Sequence, residues 1–234
     1  MLIKKVLAFV LSLALSVSMT ACGEKNGDSS SGDKGGKPYV AVVSKGFQHQ
    51  FWQIVKKGAS QAAADLGVTL TFEGPQTESD VNQQVEMLKS AMNKQPDAIC
   101  LAALDTSSVV EQLNECRNKN IPVIGFDSGV PEAPEGSIYA TASTDNYRAA
   151  AIAAEQLLKN EDFLDKLAAG NNVVVGVLSQ DAISDSILRR TSGFIDTLVE
   201  GLEAMEGFAG AVEVVGHDTF RKNAGSAAKV TVRV

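Results

Sequence analysis

The sequence has few of the residues that usually mark a catalytic or metal site: three cysteines, two histidines and one tryptophan among 234 residues. The cysteines form no CxxC pair, and His49 and His217 have no companion at metal-ligand spacing. The glycine-rich phosphate loops GxGxxG and GxxxxGK[ST] and the hydrolase motif GxSxG are also missing. We therefore expect no metal, no cofactor and no enzymatic activity, and a flavodoxin-like enzyme is disfavoured because it needs a phosphate loop.

Positive charge is also scarce. Lysine and arginine total 21 against 28 aspartate and glutamate residues, which gives a net charge of −7. No stretch of the chain offers a basic stripe for phosphates, so we expect no nucleic-acid partner. With 44% hydrophobic residues, the composition is that of a globular protein with room for one large or two small domains.

The first residues have the pattern of an export signal rather than of a folded element. Lys4 and Lys5 precede an apolar run at 6–19, so residues 1–21 are predicted to be a signal peptide. The run is short for the alternative, a permanent membrane helix. Thr20-Ala21-Cys22 resembles a bacterial lipobox, which implies lipid attachment at Cys22. Residues 23–37 contain no apolar side chain, so 22–37 are predicted to be a flexible tether after the lipidated cysteine.

The two remaining cysteines, Cys100 and Cys116, lie in an apolar run and on the apolar face of a predicted helix. Both are predicted to be small buried side chains. A disulfide between them stays open, since no spacing pattern supports it.

Short apolar runs alternate with helical patterns along most of the chain. Strands are predicted to begin near residues 39, 68, 98 and 123, each followed by a helix, with a fifth strand at 138–142. The pattern then restarts with strands at 173–178 and 212–215. Repeated strand–helix units predict parallel sheets with helices on both faces. The sequence therefore predicts an α/β fold of two doubly wound parallel-sheet lobes, with lobe one at 38–142 and a hinge crossing and incomplete lobe two at 143–234.

Polar loops follow several of the predicted strands, where an open parallel sheet binds its ligands. The first loop ends in Phe51 and Trp52, at the start of a helix whose apolar face is predicted from Ile54 to Leu66. These two aromatics are interpreted either as core packing, which spacing alone favours, or as a ligand platform, which the polar neighbours favour. The acids that follow strands are individually more typical of caps and turns than of catalysis: Asp105, Asp127, Asp145 and Asp181.

Six segments stand in an order that is typical of one family. They are residues 39–44, the pair Phe51-Trp52, and residues 57–59, 121–127, 142–146 and 190–194. Together they resemble the ribose-binding-protein group of type I periplasmic binding proteins, the solute receptors of sugar ABC importers. The resemblance runs from about residue 38 to residue 230.

The resemblance implies two lobes that close on a sugar or polyol, an ABC permease as partner, a monomeric state, and a location outside the cytoplasm. With the lipid, this location is the outer face of the bacterial cell membrane or the periplasm. Carried over by position, it implies that Phe51 and Trp52 stack on the sugar and that His49 makes a polar contact from the same loop. It also implies Asp127 as a carboxylate contact, Arg190 as an arginine contact and Phe220 as an aromatic contact from the second lobe.

Three departures from the family pattern qualify this expectation. Ser128 stands where many ribose binders have an arginine, the first loop is about one residue longer, and the family's chain continues for several more strands. We therefore expect a sugar other than ribose and a C-terminally truncated chain. Two alternative functions remain: a receptor of a chemotaxis or quorum-sensing pathway, and an effector domain related to the lactose-repressor family. The latter would need an N-terminal helix-turn-helix where the export signal stands.

Overall fold

The computed structural model describes residues 36–170, 172–206, 210–215 and 227–233. In this part of the chain, six helices and eight strands form one compact unit from Lys37 onward. The strands are β1 (Tyr39–Val43), β2 (Thr69–Glu73), β3 (Ala98–Leu101), β4 (Val123–Phe126), β5 (Ala140–Ala142), β6 (Val173–Leu178), β7 (Ala211–Val215) and β8 (Ala227–Arg233). The helices are α1 (Gln50–Leu66), α2 (Val81–Asn93), α3 (Val110–Asn118), α4 (Asn146–Leu157), α5 (Glu161–Ala168) and α6 (Asp185–Glu203).

The first sheet contains five parallel strands in the order β2-β1-β3-β4-β5. This confirms the predicted α/β class, because each strand is followed by a helix or a long connection that returns the chain to the same end of the sheet. Its core joins alternate residues of β1 and β3, such as Val43 and Ile99, to apolar residues of α2 and α3, such as Leu88 and Leu113. Burial of these branched side chains is the main force that holds the helices on the sheet.

From β1 the strand order runs outward to β2 on one side and through β3 to β5 on the other, so the loops after β1 and β3 lead away from each other and leave a crevice at the carboxyl ends of these two strands. Gln84, which is fully buried on α2, fixes the loops on both sides of this crevice. Its Nε2 donates to the carbonyl oxygens of Ser44 (2.9 Å) and Ala102 (2.8 Å), and its Oε1 accepts from the amide of Leu104 (2.8 Å). One amide side chain thus satisfies three buried backbone groups.

The second sheet differs from the predicted parallel one. Strand β8 lies between β6 and β7 and pairs antiparallel with both, in the order β6-β8-β7. The sequence did not predict β8. Only residues 216–226 separate β7 from β8, and a parallel return usually needs a crossover of about a dozen or more residues with a helix in it. The antiparallel return follows from that short connection.

Helices α4 and α6 pack together beside the second sheet, and α5, which was not predicted, completes the apolar cluster. The helices approach so closely at Gly193 that a Cβ there would collide with the carbonyl group of Tyr147. On β6, Val175 and its alternate neighbours pack toward the helices, whereas Leu178 on the opposite face is 83% exposed. Among the described residues, the helices therefore cover one face of β6 and leave the other face exposed.

Helix α1 corrects another expectation. Its predicted apolar face is covered only in part: Trp52 and Ala63 are buried and Val55 is partly buried, whereas Ile54 is 63% exposed and Leu66 is also exposed. The 3.6-residue period correctly predicted a helix, but burial also requires a neighbouring element. Here α1 packs on β2, and among the described residues the outer edge of its apolar face, with Ile54 and Leu66, is left uncovered.

Several sequence-based predictions concern residues outside the described part of the chain. They are the signal peptide, the lipidated Cys22, most of the tether, His217 and Phe220. In the described residues, none of the helices combines the length and apolar character needed to cross a membrane.

Candidate functional site

A cavity of about 690 Å³ lies at the carboxyl end of the first sheet, where the chain segment leading into α6 approaches the loops after β1, β2 and β4. Five of the six ligand-binding residues predicted from the sequence line it: His49, Phe51, Trp52, Asp127 and Arg190. The structure thus brings together residues that lie up to 141 positions apart in the chain. Their predicted contacts with a ligand remain predictions.

The two adjacent aromatics of the first loop occupy different environments. Phe51 is 47% exposed, whereas Trp52 is 1% exposed and packs edge-to-face against both Phe51 and Phe126, at centroid distances of 4.9 and 6.3 Å. The indole Nε1 donates to Glu78 Oε1 at 2.8 Å. Trp52 therefore forms the buried wall of the cavity, and Phe51 carries the more open ring.

His49 forms the N-cap of α1. Its Nδ1 accepts a hydrogen bond from the amide of Phe51 at 3.2 Å, so the neutral imidazole carries its proton on Nε2. The same loop is fixed by Gln53, which donates to the carbonyl of Phe47, and by Lys56, whose Nζ lies 4.7 Å from the centre of the Phe47 ring. The local structure therefore leaves Nε2 of His49 as the donor of this side chain.

Asp127 has an unusual backbone conformation for a residue other than glycine, with φ +59°. The amide of Ser128 donates to the carbonyl of Phe126 at 2.6 Å across it, which forms a γ-turn of the rare, strained type, and the Asp127 amide donates to Ala142. Such strain costs on the order of 1–3 kcal/mol and occurs often at functional sites. Here the turn directs the Asp127 carboxylate toward the cavity at the end of β4.

Lys45 is the main residue that the sequence analysis missed. It directly follows Ser44 after β1 and is 4% exposed, although it is charged. Its Nζ lies 3.2 Å from Asp127 Oδ2 and donates to Ser186 Oγ at 3.1 Å. The signal in the sequence is its position: Lys45 stands between Ser44 and Gly46, just after a predicted buried strand. A lysine that is buried at such a position needs a partner of opposite charge.

Arg190 projects from the second turn of α6. Its Nε donates to Asn146 Oδ1 at 2.8 Å, which orients the guanidinium from the side of α4. Within the described residues, the two Nη groups have no acceptor. The guanidinium therefore has donors left for a group in the cavity.

Direct contacts join the two sides of the cavity. Glu78 Oε2 accepts from Gln180 Nε2 at 2.9 Å, and the amide of Ser186 donates to Ser128 Oγ at 3.3 Å. Ser128, the residue that departs from the family pattern, is therefore buried against the start of α6. Hydrogen bonds thus join the two walls of the cavity.

The other acids after strands are structural, as predicted. Asp105 accepts from the amides of Ser107 and Ser108, Asp145 caps α4, and Asp181 accepts from amides in the loop before α6. The described residues contain no group of three His, Cys, Asp or Glu side chains that could hold a metal ion.

Cys100 and Cys116 are both free thiols, which answers the open question of a disulfide. Cys116 is buried as predicted, whereas Cys100 is partly exposed. Burial raises the pKa of the Cys116 thiol to about 11, with a further increase from Glu115 and an opposing effect of Lys119. Burial also raises the pKa of Cys100. Both lie away from the cavity lining.

The chain is similar in sequence to known proteins over part of their length. It is 32% identical to the fructose import binding protein FruE of Bifidobacterium longum over 127 residues, which are 54% of this chain and 38% of that protein. It is 27% identical to the D-allose-binding periplasmic protein of Escherichia coli over 140 residues, or 58% and 43% of the two chains.

Solved structures give the same picture. A Brachyspira murdochii protein described as "ABC transporter, LacI family transcriptional regulator" is 41% identical, with a TM-score of 0.62 over 74% of this chain and 54% of that one. A carbohydrate transporter solute binding protein from Agrobacterium radiobacter, in complex with D-arabinose, is 29% identical, with a TM-score of 0.58 over 69% and 52%. The chain thus spans about half the length of these relatives, or less.

The family model described as "Periplasmic binding protein domain" matches residues 40–232, which include both sheets except the first residue of β1 and the last of β8, and all the described residues of the cavity. This match confirms the resemblance to type I, ribose-binding-like proteins that the six ordered segments indicated. The chain therefore belongs to the periplasmic binding protein domain family.

Proposed function

We propose that the protein is an extracytoplasmic receptor that binds a sugar or related polyol between two lobes and delivers it to an ABC permease, without converting it chemically. The observation that carries this proposal is the cavity, in which a half-exposed aromatic ring faces charged hydrogen-bonding groups from two parts of the chain. The proposed lobes are residues 38–142 and 143–234.

The chemistry of the cavity suits a carbohydrate. A sugar ring has C–H faces that pack on an aromatic side chain, and Phe51 provides an open ring for this contact. Sugar hydroxyls form strong hydrogen bonds with charged groups, which Asp127 offers as an acceptor and Arg190 as a donor. His49, which also lines the cavity, adds a donor at Nε2. Phe220, which lies outside the described residues, is proposed as a further aromatic contact.

The names of similar proteins support the same class of ligand. FruE is named for fructose import, the Escherichia coli relative for D-allose, and the Agrobacterium radiobacter structure contains D-arabinose. These names differ in the sugar, so the proposal is limited to sugars and polyols as a class.

Closure of the two lobes on the ligand is the proposed mechanism. Hinge closure around a solute would change the relative position of the lobes, and the permease would recognise the closed form. Support comes from the hydrogen bonds between Glu78 and Gln180 and between Ser186 and Ser128, which join the two walls.

The test is sugar binding measured by the fluorescence of Trp52, the single tryptophan, and by calorimetry. The purified protein is titrated with D-fructose, D-allose, D-ribose and D-arabinose. We expect a saturable change in emission with at least one of them. Phe51→Ala should then weaken binding about tenfold, because the stacking contact is lost.

The matched control is Ile54→Ala, which removes an exposed apolar side chain from the same helix but outside the cavity. Its affinity should equal that of the wild type. Binding of none of the four sugars by the folded protein would contradict the proposed function, and equal losses in both variants would remove the stacking role of Phe51.

The proposed location rests on the lipobox-like Thr20-Ala21-Cys22 and the tether after it. One acyl chain anchors a protein only weakly, whereas two or more hold it stably at a membrane. We expect Cys22→Ser to abolish incorporation of radiolabelled palmitate and to release the protein from membranes. Cys100→Ser is the matched control and should keep the label, while equal labelling of wild type and Cys22→Ser would contradict the anchor.

A further inference from the structure

A second cavity, of about 360 Å³, adjoins the first one beside β6 and α6. Gln180, Ile187 and Arg190 line both cavities, so these three residues form the boundary between them. A ligand that occupies the first cavity can therefore extend into the second one past this boundary. We call the second cavity the annex; its lining also contains Gly176, Val177, Leu178, Ser179, Thr191 and Phe194.

The annex is lined mainly by apolar side chains. Ile187, Thr191 and Phe194 lie on one face of α6 at helical spacing. Val177 and Leu178 belong to opposite faces of β6, and both line the annex because β6 is an edge strand with open space beside it. Leu178 is also 83% exposed. A ligand in the annex can therefore remove this apolar surface from water, which is favourable.

Three polar side chains of the annex lining donate hydrogen bonds within the protein. The hydroxyl of Ser179 donates to the carbonyl of Asp181 at 3.0 Å, and the hydroxyl of Thr191 donates to the carbonyl of Ile187 at 3.0 Å. The side-chain amide of Gln180 donates to the opposite wall of the first cavity. Because these donors are already used, the burial of apolar surface is the main gain that the annex provides to a ligand.

Arg190 lies between two different chemical environments. Its guanidinium is held by Asn146 at 2.8 Å, whereas its methylene stem is apolar. The first cavity also contains the charged side chains of Lys45, Glu78 and Asp127. Apart from Arg190, the described residues of the annex carry no charge. The two adjoining cavities therefore fit a molecule that is polar at one end and apolar at the other.

We propose that the preferred ligand of this receptor is a glycoside whose sugar ring occupies the first cavity and whose apolar aglycone, an alkyl or aryl group, occupies the annex. The inference rests on the proposed function and names the substrate class of the same site. Arg190, which lines both cavities, lies next to the bond that joins the two parts of such a ligand. A free sugar occupies the first cavity alone and therefore binds more weakly.

The experiment compares free sugars with their methyl and phenyl glycosides. The purified protein is titrated by calorimetry with D-ribose, D-fructose, D-allose and D-arabinose, and with both anomers of each glycoside. For the sugar that binds, we expect one phenyl glycoside to bind at least about tenfold more tightly than the matching methyl glycoside, because a fitted apolar group contributes a factor of this size in a hydrophobic pocket. The methyl glycoside controls for the loss of the anomeric hydroxyl.

Variants of β6 locate the aglycone. Leu178→Ser makes the annex more polar, and Gly176→Leu adds a side chain at a lining position where a Cβ meets no other atom within 4 Å. Both should reduce the ratio of phenyl to methyl glycoside affinity to about threefold or less. Because the ratio is taken within one variant, a general loss of sugar affinity cancels. Val174→Ser is the matched control, since Val174 is 55% exposed on the same strand but does not line the annex, and it should keep the wild-type ratio.

The outcomes separate the inference from the proposed function. If the wild type binds none of the sugars and glycosides, the proposed function fails and the inference fails with it. If a sugar or a methyl glycoside binds but no phenyl glycoside binds more tightly, the proposed function stands and the role of the annex is overturned. Equal ratios in Leu178→Ser, Gly176→Leu and Val174→Ser would also overturn it, because the gain from the phenyl group would then arise elsewhere. Thermal melting checks that each variant is folded.

Discussion

The two sheets of this protein are built from similar sequences but bury them differently. Both Tyr39–Val43 and Val173–Leu178 are short runs rich in valine. In β1 the last three residues are all buried, because it is a central strand of a five-stranded parallel sheet. In β6, partly buried and exposed residues alternate. This strand lies at the edge of a three-stranded antiparallel sheet, and among the described residues helices pack against one of its faces.

This difference shows that an apolar run predicts a strand but not its surroundings. A strand buried on both faces and a strand buried on one face can carry the same residues, although the second usually alternates apolar with polar residues. Val174 and Leu178 are apolar at positions that the described structure leaves exposed. The four predictions that follow test whether the two sheets differ in stability as they differ in burial.

The largest expected effect concerns the two faces of the second sheet. Leu198 on α6 is fully buried, and Leu198→Ala should lower the free energy of unfolding by about 2–5 kcal/mol through a cavity. Leu178→Ala, the matched change at an exposed position, should alter it by less than about 0.5 kcal/mol. Chemical denaturation measures both. A loss at Leu178 as large as that at Leu198 would mean that this face is covered.

The second prediction concerns the first sheet, where Gln84 joins the loops after β1 and β3. Gln84→Leu should lower the free energy of unfolding by roughly 3 kcal/mol, because three buried backbone groups lose their partner. Gln112→Leu is the control, since Gln112 is also buried but its side-chain oxygen accepts no hydrogen bond from the described residues. The control should be close to neutral. Equal losses in the two variants would contradict the role assigned to Gln84.

Hydrogen exchange compares the sheets directly. Amides of β1 and β3 lie in the centre of the first sheet, and we expect them to exchange at least about thirtyfold more slowly than those of β6, an edge strand. Native-state exchange followed by mass spectrometry measures both sets in one sample. Uniformly slow exchange across β6 and β7 would show that the second sheet is as stable as the first.

The smallest effect is the pH dependence contributed by Cys116, which packs beneath the first sheet. Its pKa of about 11 in the folded protein exceeds the ordinary value of 9.0, so the folded state keeps a proton that the unfolded state releases. The free energy of unfolding should therefore fall, by on the order of 1–2 kcal/mol, as the pH rises from about 9 to 11. Cys116→Ala should show a shallower decrease over this range. Identical pH profiles would contradict the assigned pKa.

The sequence alone determined which segments form β1 to β7, the parallel first sheet and the edge of that sheet at which the candidate residues lie. It could do so because strand and helix periods are local, and because parallel strands bring their carboxyl ends to one edge. His49, Phe51, Asp127 and Arg190 were predicted to share a site on these grounds together with the family resemblance, and all four line one cavity.

Only the tertiary structure decided which of these groups have partners. The bond from Lys45 to Ser186 joins residues 141 positions apart, and no local pattern encodes it. The exposure of Ile54 and Leu66 and the antiparallel position of β8 depend in the same way on what lies beside them. Periodicity records how a segment alternates, whereas burial, ion pairing and strand order arise from contacts between segments that are distant in the sequence.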